Sequence, residues 1–207
     1  MSSSNHTVHT QNIVYSYLLW AGIWLLVGTG YGLLAAVKLY WPEVLEFELL
    51  SFGRIRPIHT NLVMFGWSSM ALMGLALFVV SRTSKIPLKH HNFARMGLYL
   101  WNTTMVLAIV TLSLGLSRGP QEYRELLWPI MLLYTMGLGC NFYSAYSTLT
   151  HRATPEIYVS NWYIISSFCW LAIIITIAYL PFYQNGMGNI VIQGYYMHNA
   201  VGMWFSP

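Results

Sequence analysis

The sequence predicts an all-α protein, a polytopic transmembrane helix bundle of five complete helices and the start of a sixth. Hydrophobic residues make up 56% of the 207 residues and charged residues only 8%, whereas soluble proteins carry about 25% charged residues. A soluble fold of this length has too little interior to hide so much apolar surface. Apolar runs of the roughly 20 residues that cross a bilayer as a helix recur along the chain.

The first three apolar runs cover residues 14–39, 57–80 and 93–116. The first run contains several glycines, which allow neighbouring membrane helices to approach closely. The second run begins at Pro57, and proline suits the first turn of a helix. We therefore expect three helices here, preceded by a polar N-terminal tail.

The next two runs cover residues 127–149 and 161–182. A sixth run opens near Ile190 and reaches Pro207 before it is long enough to span a membrane. We therefore expect residues 1–207 to form a single transmembrane domain, the N-terminal part of a longer subunit.

The links between the runs suggest an orientation. The link SRTSKIPLKHHN (81–92) is basic, and short basic loops favour the cytoplasmic side of a membrane. This places the N-terminus on the cytoplasmic side as well, although about half of the Lys and Arg residues lie on the other side with five of the six acidic residues. No basic cluster indicates nucleic-acid binding.

Two of the seven histidines, His59 and His198, lie in or close to the start of a membrane run. Ionisable residues in such positions are rare and usually functional, and neutral imidazole is the commonest metal ligand. The alternative is a neutral histidine that only hydrogen-bonds to a neighbouring helix. The other five lie in the tail or the links, and we assign no role to them: His6, His9, His90, His91 and His151.

The stretch GRIRPIHTN (53–61) carries Arg54 and Arg56 about one turn before His59. Histidine is an axial ligand of haem iron, and arginine binds carboxylates such as haem propionates. The stretch therefore suggests a haem whose iron is held by His59 and whose propionates face the arginines. The alternative is that both arginines are ordinary interface charges that extend to the lipid headgroups.

With those residues in view, the chain resembles subunit I of the cbb3-type (C-type) haem–copper cytochrome c oxidases. Four stretches carry the resemblance, in order and at compatible spacing: GRIRPIHTN, QEYRELLWPI, EIYVSNW and YYMHNAVG. They resemble the low-spin haem b segment, the third external link, the entry to the fifth helix and the copper-site helix of that family. The resemblance covers nearly the whole chain and implies the same membrane fold.

The resemblance implies roles for four residues. His59 would be one axial ligand of low-spin haem b, with Arg56 near the propionates and Arg54 a weaker candidate for the same role. His198 would be one of three histidine ligands of the copper ion Cu-B, which faces the high-spin haem b3, and thus part of the catalytic centre. All the other ligands of these groups would lie outside this chain.

The resemblance also implies an activity and partners. Electrons from cytochrome c would pass through haem b to the haem b3–Cu-B centre, which reduces O2 to water in the aerobic respiratory chain, coupled to proton translocation. The partners would be other oxidase subunits, including c-type cytochromes, in a bacterial inner membrane. Glu122 and Glu125 match acidic residues of the family, but Leu127 replaces a further one, so no calcium site is carried over.

Two other functions compete with this interpretation. A nitric oxide reductase of the same superfamily uses non-haem iron assisted by glutamates, but HNAVGMWFSP contains no Glu or Asp after His198. The A-type oxidases have a tyrosine four residues after this histidine, where Gly202 stands here. The second alternative is a non-catalytic membrane or transport subunit whose two histidines are structural.

Overall fold

The computed structural model describes residues 2–119, 121–180 and 185–205, with side chains from Val8 onward. Those residues form helices joined by short links. The α-helices are α1 (Ser2–Tyr40), α2 (Phe52–Asn61), α3 (Ser69–Ser84), α4 (His91–Ser113), α5 (Trp128–Thr150), α6 (Val159–Tyr179) and α7 (Gly186–Ala200). Two π-helical segments continue α2 and α7, Leu62–Ser68 and Val201–Phe205, and a short 3-10 helix lies at Glu48–Leu50.

Four of the described helices are long and apolar enough to cross a membrane: Val8–Tyr40, Phe52–Ser84, His91–Ser113 and Val159–Tyr179. The prediction of a polytopic all-α bundle is therefore confirmed. The second of these helices runs without a break through α2, the first π segment and α3. This continuity places His59 and the π segment on one rod that packs against α1.

Helix α5, the fourth predicted run, is 23 residues long but is not among these four helices. Its interior face carries polar side chains, including Asn141 and Ser144. The hydroxyl of Tyr17 donates to Asn141 Oδ1 (2.8 Å), and Ser144 Oγ donates to the backbone oxygen of Lys89 (2.6 Å). The polar residues of α5 thus make hydrogen bonds inside the bundle.

The polar N-terminal tail is helical from Ser2 onward, so the first helix begins twelve residues before the predicted apolar run at residue 14. Tertiary contacts hold the start of this helix. The ring of His9 stacks on that of His91 with centroids 5.1 Å apart, and Thr10 Oγ1 accepts a hydrogen bond from Leu88 N (3.0 Å). Local composition cannot reveal such contacts.

The second helix begins at Phe52, five residues before the predicted start, so Pro57 lies inside it. Asn61 Nδ2 donates to Pro57 O at 2.8 Å within the same helix. The early start turns Arg54 and Arg56 from link residues into helix residues, which fixes their directions relative to His59.

The last predicted residues of the fifth run, 181 and 182, lie outside the described residues.

The bundle has two ends that face opposite membrane surfaces. The Thr10 end comprises the start of α1 and the α3–α4 and α5–α6 links, joined for example by the bond from Leu88 N to Thr10. The Glu125 end comprises the α1–α2, α4–α5 and α6–α7 links, where Arg54 Nη1 donates to Ser113 O at 2.9 Å. The predicted haem residues lie toward the Glu125 end.

Candidate functional site

His59 lies on α2, partly buried against α1. Its Nδ1 lies 2.8 Å from the backbone oxygen of Gly28. A carbonyl oxygen can only accept a hydrogen bond, so Nδ1 carries the proton, and the lone pair of the neutral imidazole is on Nε2. Nε2 makes no hydrogen bond to any residue that the structure describes.

This arrangement fits a haem ligand. Metal-binding histidines characteristically donate their second ring N–H to a carbonyl or carboxylate, which fixes the tautomer and the ring orientation. The His59 imidazole has that second bond and presents one free lone pair, the donor that haem iron takes from histidine. His59 could supply one such ligand.

The two predicted propionate-binding arginines point to different neighbours. Arg56 is three residues before His59, on a neighbouring face of α2, and its Nη2 donates to Glu122 Oε1 at 3.1 Å. Its side chain is 48% exposed. Arg54 forms an ion pair with Glu48, and its Nη1 bonds to Ser113 O. Arg56 is thus the arginine closer in direction to His59, and its guanidinium remains accessible.

A buried polar pair, Asn61 and Glu125, lies beside this stretch and was not predicted as a site. Asn61 Nδ2 donates to Glu125 Oε2 at 2.9 Å, and both residues are buried. Burial raises the pKa of the Glu125 carboxyl, the Asn61 hydrogen bond opposes that rise, and Glu122 adds to it. Burial and the Glu122 charge likewise raise the pKa of Tyr123. The sequence signal was a carboxylate beside an apolar run.

His198 lies near the end of α7 and is exposed. Tyr196, Ala200 and Trp204 form the buried side of this helix and its π extension. At 100° per residue, His198 is turned by about 200° from Tyr196 and so faces away from the described bundle. An accessible imidazole is a suitable copper donor, and His198 provides one such donor.

His59 and His198 are not brought together. No hydrogen bond or ring contact joins them, and within the described ranges no three His, Cys, Asp or Glu side chains group as metal ligands. Within the described ranges, each histidine could therefore offer a metal only a single donor.

Both histidines are followed, three residues later, by a π-helical segment. π-helical turns are rare and occur frequently at functional sites. The two segments are connected, since Trp204 Nε1 donates to Ser69 Oγ at 2.9 Å, and Ser69 Oγ donates to Met64 O at 2.8 Å. Hydropathy gave no sign of these segments because a π turn changes the backbone pairing and not the composition.

Arg124 connects the α4–α5 link to the helix that carries His198. It is fully buried, and its Nη2 donates to Ala178 O at 2.7 Å while Nη1 makes longer bonds to Asn189 and Gln193. Burial lowers the pKa of this guanidinium, and nearby Arg118 lowers it further. Arg124 thus holds the start of α7 against the end of α6.

Comparison with known proteins gives the family. The family model for cytochrome c and quinol oxidase polypeptide I matches residues 12–207. The chain is 31% identical to the cbb3-type cytochrome c oxidase subunit CcoN1 of Stutzerimonas stutzeri, an alignment that covers 100% of this chain and 45% of that protein.

Two further relatives give the same result. Cytochrome c oxidase subunit 1 of Rhodobacter capsulatus is 32% identical over 88% of this chain and 37% of its own length. A cytochrome c oxidase subunit 1 homolog of Azorhizobium caulinodans is 30% identical over 91% of this chain and 36% of its own length. The chain spans less than half the length of these relatives.

The matched region includes both candidate histidines and all the helices that position them. The resemblance predicted from GRIRPIHTN and YYMHNAVG is therefore confirmed at the level of the family. This chain belongs to the cytochrome c and quinol oxidase polypeptide I family, the haem–copper oxidase subunit I family.

Proposed function

We propose that this chain is part of the catalytic subunit of a C-type terminal oxidase, which takes electrons from cytochrome c, reduces O2 to water and translocates protons. The cofactors would be low-spin haem b, high-spin haem b3 and Cu-B. When bound, these groups supply the redox chemistry: haem b carries electrons, and the haem b3–Cu-B pair reduces O2. The observation that carries the proposal is the His59 imidazole, which has its Nδ1–H bonded to Gly28 O.

The residues of this chain would bind and orient the cofactors and would neutralise the charge of the haem propionates. His59 would hold the haem b iron through Nε2, and Arg56 would pair with a propionate, with Arg54 as the second candidate. Arg56 now pairs with Glu122, so a propionate would share or replace that partner. His198 would supply one copper ligand to the catalytic centre, and its exposed position leaves room for ligands from other helices.

The proposed setting is a bacterial cell membrane, with the Thr10 end on the cytoplasmic side. The partners would be other oxidase subunits, among them c-type cytochromes. The cbb3-type name of the Stutzerimonas stutzeri relative supports the C-type assignment. So does Gly202, which stands where the A-type oxidases have a tyrosine.

A crossed set of histidine variants in the full-length subunit, purified with its complex, tests both assignments. We expect His59→Ala to lose the low-spin haem b absorbance bands and to keep copper. We expect His198→Ala to lose copper and to keep those bands, since the two histidines lie on separate helices. His151→Ala is the control, because among the described residues that ring bonds only to Ser147 and Thr150 of the preceding helix.

Each outcome has a distinct meaning. Unchanged low-spin haem bands in His59→Ala would show that His59 is not the ligand. A wild-type complex with non-haem iron in place of copper would favour the nitric oxide reductase alternative. A wild-type complex without haem b would favour the structural-histidine alternative.

A further inference from the structure

The iron-ligand candidate His59 packs on one turn of α1, the segment from Gly28 to Gly32. These two glycines are four residues apart, so they lie on the same face of the helix. The backbone oxygen of Gly28 holds His59 Nδ1 at 2.8 Å. The imidazole also lies over Gly32, at the other end of the same turn. One turn of α1 thus contacts the ring in two places.

Gly32 has no side chain, and the ring occupies the space that one would fill. A Cβ atom built on Gly32 would lie 2.6 Å from His59 Cε1 and 2.7 Å from His59 Nδ1. Real Cβ atoms essentially never approach other atoms so closely. Any side chain at position 32 must therefore displace the imidazole, and the displacement acts on the nitrogen that bonds to Gly28.

The Nδ1–H bond affects the donor strength of the ring. Donation of Nδ1–H to a carbonyl makes the imidazole more basic and restricts its rotation. A more basic axial ligand stabilises the ferric over the ferrous state, because the ferric ion is the stronger acceptor. The contact with α1 thus bears on both the orientation and the reduction potential of a haem held by His59.

We propose that the Gly28–Gly32 turn of α1 is a positioning element for the haem ligand His59. The carbonyl of Gly28 sets the tautomer and the plane of the ring, and the bare Cα of Gly32 allows the ring to lie there. This proposal rests on the proposed function, since it assigns a role relative to the same haem. Neither glycine has a side chain that could bind the iron, so both would act only through His59.

Gly32→Ala in the full-length subunit and its complex is the test. The control is Gly30→Ala, on the same helix, where an added Cβ meets nothing within 4 Å. We expect Gly32→Ala to raise the midpoint potential of the low-spin haem and to change its ferric EPR g-values, since the ring turns and the Nδ1 bond weakens. Gly30→Ala should leave both unchanged. Gly28→Ala is unsuitable, because its Cβ would press on Leu62 and Val63.

The outcomes separate this inference from the proposed function. A wild-type complex without low-spin haem b defeats the proposed function itself. A wild-type complex with haem b, and a Gly32→Ala complex with the wild-type potential and EPR spectrum, defeats the positioning role alone.

If the Gly32→Ala complex does not assemble, a measurement on the wild-type complex tests the positioning role instead. Pulsed EPR of the ferric low-spin haem reports the quadrupole coupling of the imidazole nitrogen remote from the iron. A coupling typical of a protonated nitrogen with a strong hydrogen bond supports the proposal. A coupling typical of a nitrogen without such a bond overturns it.

Discussion

Among single residues, Glu125 has the most unusual environment of the acidic side chains at the Glu125 end. It is 4% exposed and accepts a hydrogen bond from Asn61. Burial disfavours the charged carboxylate, and one hydrogen bond only partly offsets that effect. The pKa of the carboxyl is therefore raised above its ordinary value of 4.5. The protonated form is the one that this environment stabilises.

This raised pKa predicts a pH dependence of stability. An acid whose pKa is higher in the folded state contributes stability that is fully present below its unfolded pKa and is lost as pH rises through its folded pKa. Glu125 should thus contribute a loss of thermal stability to the complex as pH rises above its ordinary pKa of 4.5. Glu125→Gln keeps an oxygen acceptor for Asn61 and should reduce this loss, as measured by thermal inactivation across a pH series.

The matched control is Glu43→Gln, which removes an acid from the α1–α2 link. Its pH profile should follow that of the wild type. Parallel profiles for Glu125→Gln and the wild type would show that folding does not raise the pKa of the Glu125 carboxyl, contrary to its burial.

At the scale of helices, glycine contacts decide which faces meet. A Cβ on Gly97 of α4 would lie 2.4 Å from Asn141 Nδ2 and 2.9 Å from Gly137 O, both on α5. Asn141 in turn accepts a hydrogen bond from the Tyr17 hydroxyl of α1. One glycine therefore lets three helices share a buried polar contact.

Gly97→Ala should destabilise the complex by about 1–3 kcal/mol, the usual range for overpacking a filled interior. The added methyl group has to displace Asn141, which is also bonded to Gly137 O. A shorter half-life of the purified complex at a fixed elevated temperature is the expected observation. Gly139→Ala on α5 is the control, since a Cβ there meets nothing within 4 Å, and equal half-lives for the two variants would contradict the packing argument.

For the molecule as a whole, the charges are divided unevenly between its two ends. Each end carries five of the ten Lys and Arg residues, whereas five of the six acidic residues lie at the Glu125 end. Positive residues favour the cytoplasmic side and acidic residues have little influence. The proposed cytoplasmic placement of the Thr10 end therefore depends on the concentration of four of its five basic residues in the short segment 82–95.

Cysteine labelling in intact cells tests this orientation. In a variant without Cys140 and Cys169, Ser117→Cys at the Glu125 end should react with a membrane-impermeant maleimide. Lys89→Cys at the Thr10 end should react only after permeabilisation. Both positions are exposed, so accessibility within the protein does not limit either reaction. The reverse pattern would overturn the proposed orientation.

The sequence alone determined the membrane class and the number of long helices, and it singled out two histidines as candidate ligands. Each of these follows from local composition, because the length of an apolar run and the presence of an imidazole do not depend on distant residues. The same local logic missed the helical N-terminus, which depends on contacts of His9 with His91 and of Thr10 with Leu88.

Only the tertiary structure decided which atoms meet. The bond between His59 and Gly28 joins residues 31 apart in sequence, and that between Asn61 and Glu125 joins residues 64 apart. The outward direction of His198 likewise depends on which face of α7 the bundle buries. Hydropathy specifies how much of a helix is apolar, but the face that is buried is set by close packing at small residues such as Gly32, and packing is a property of pairs of helices.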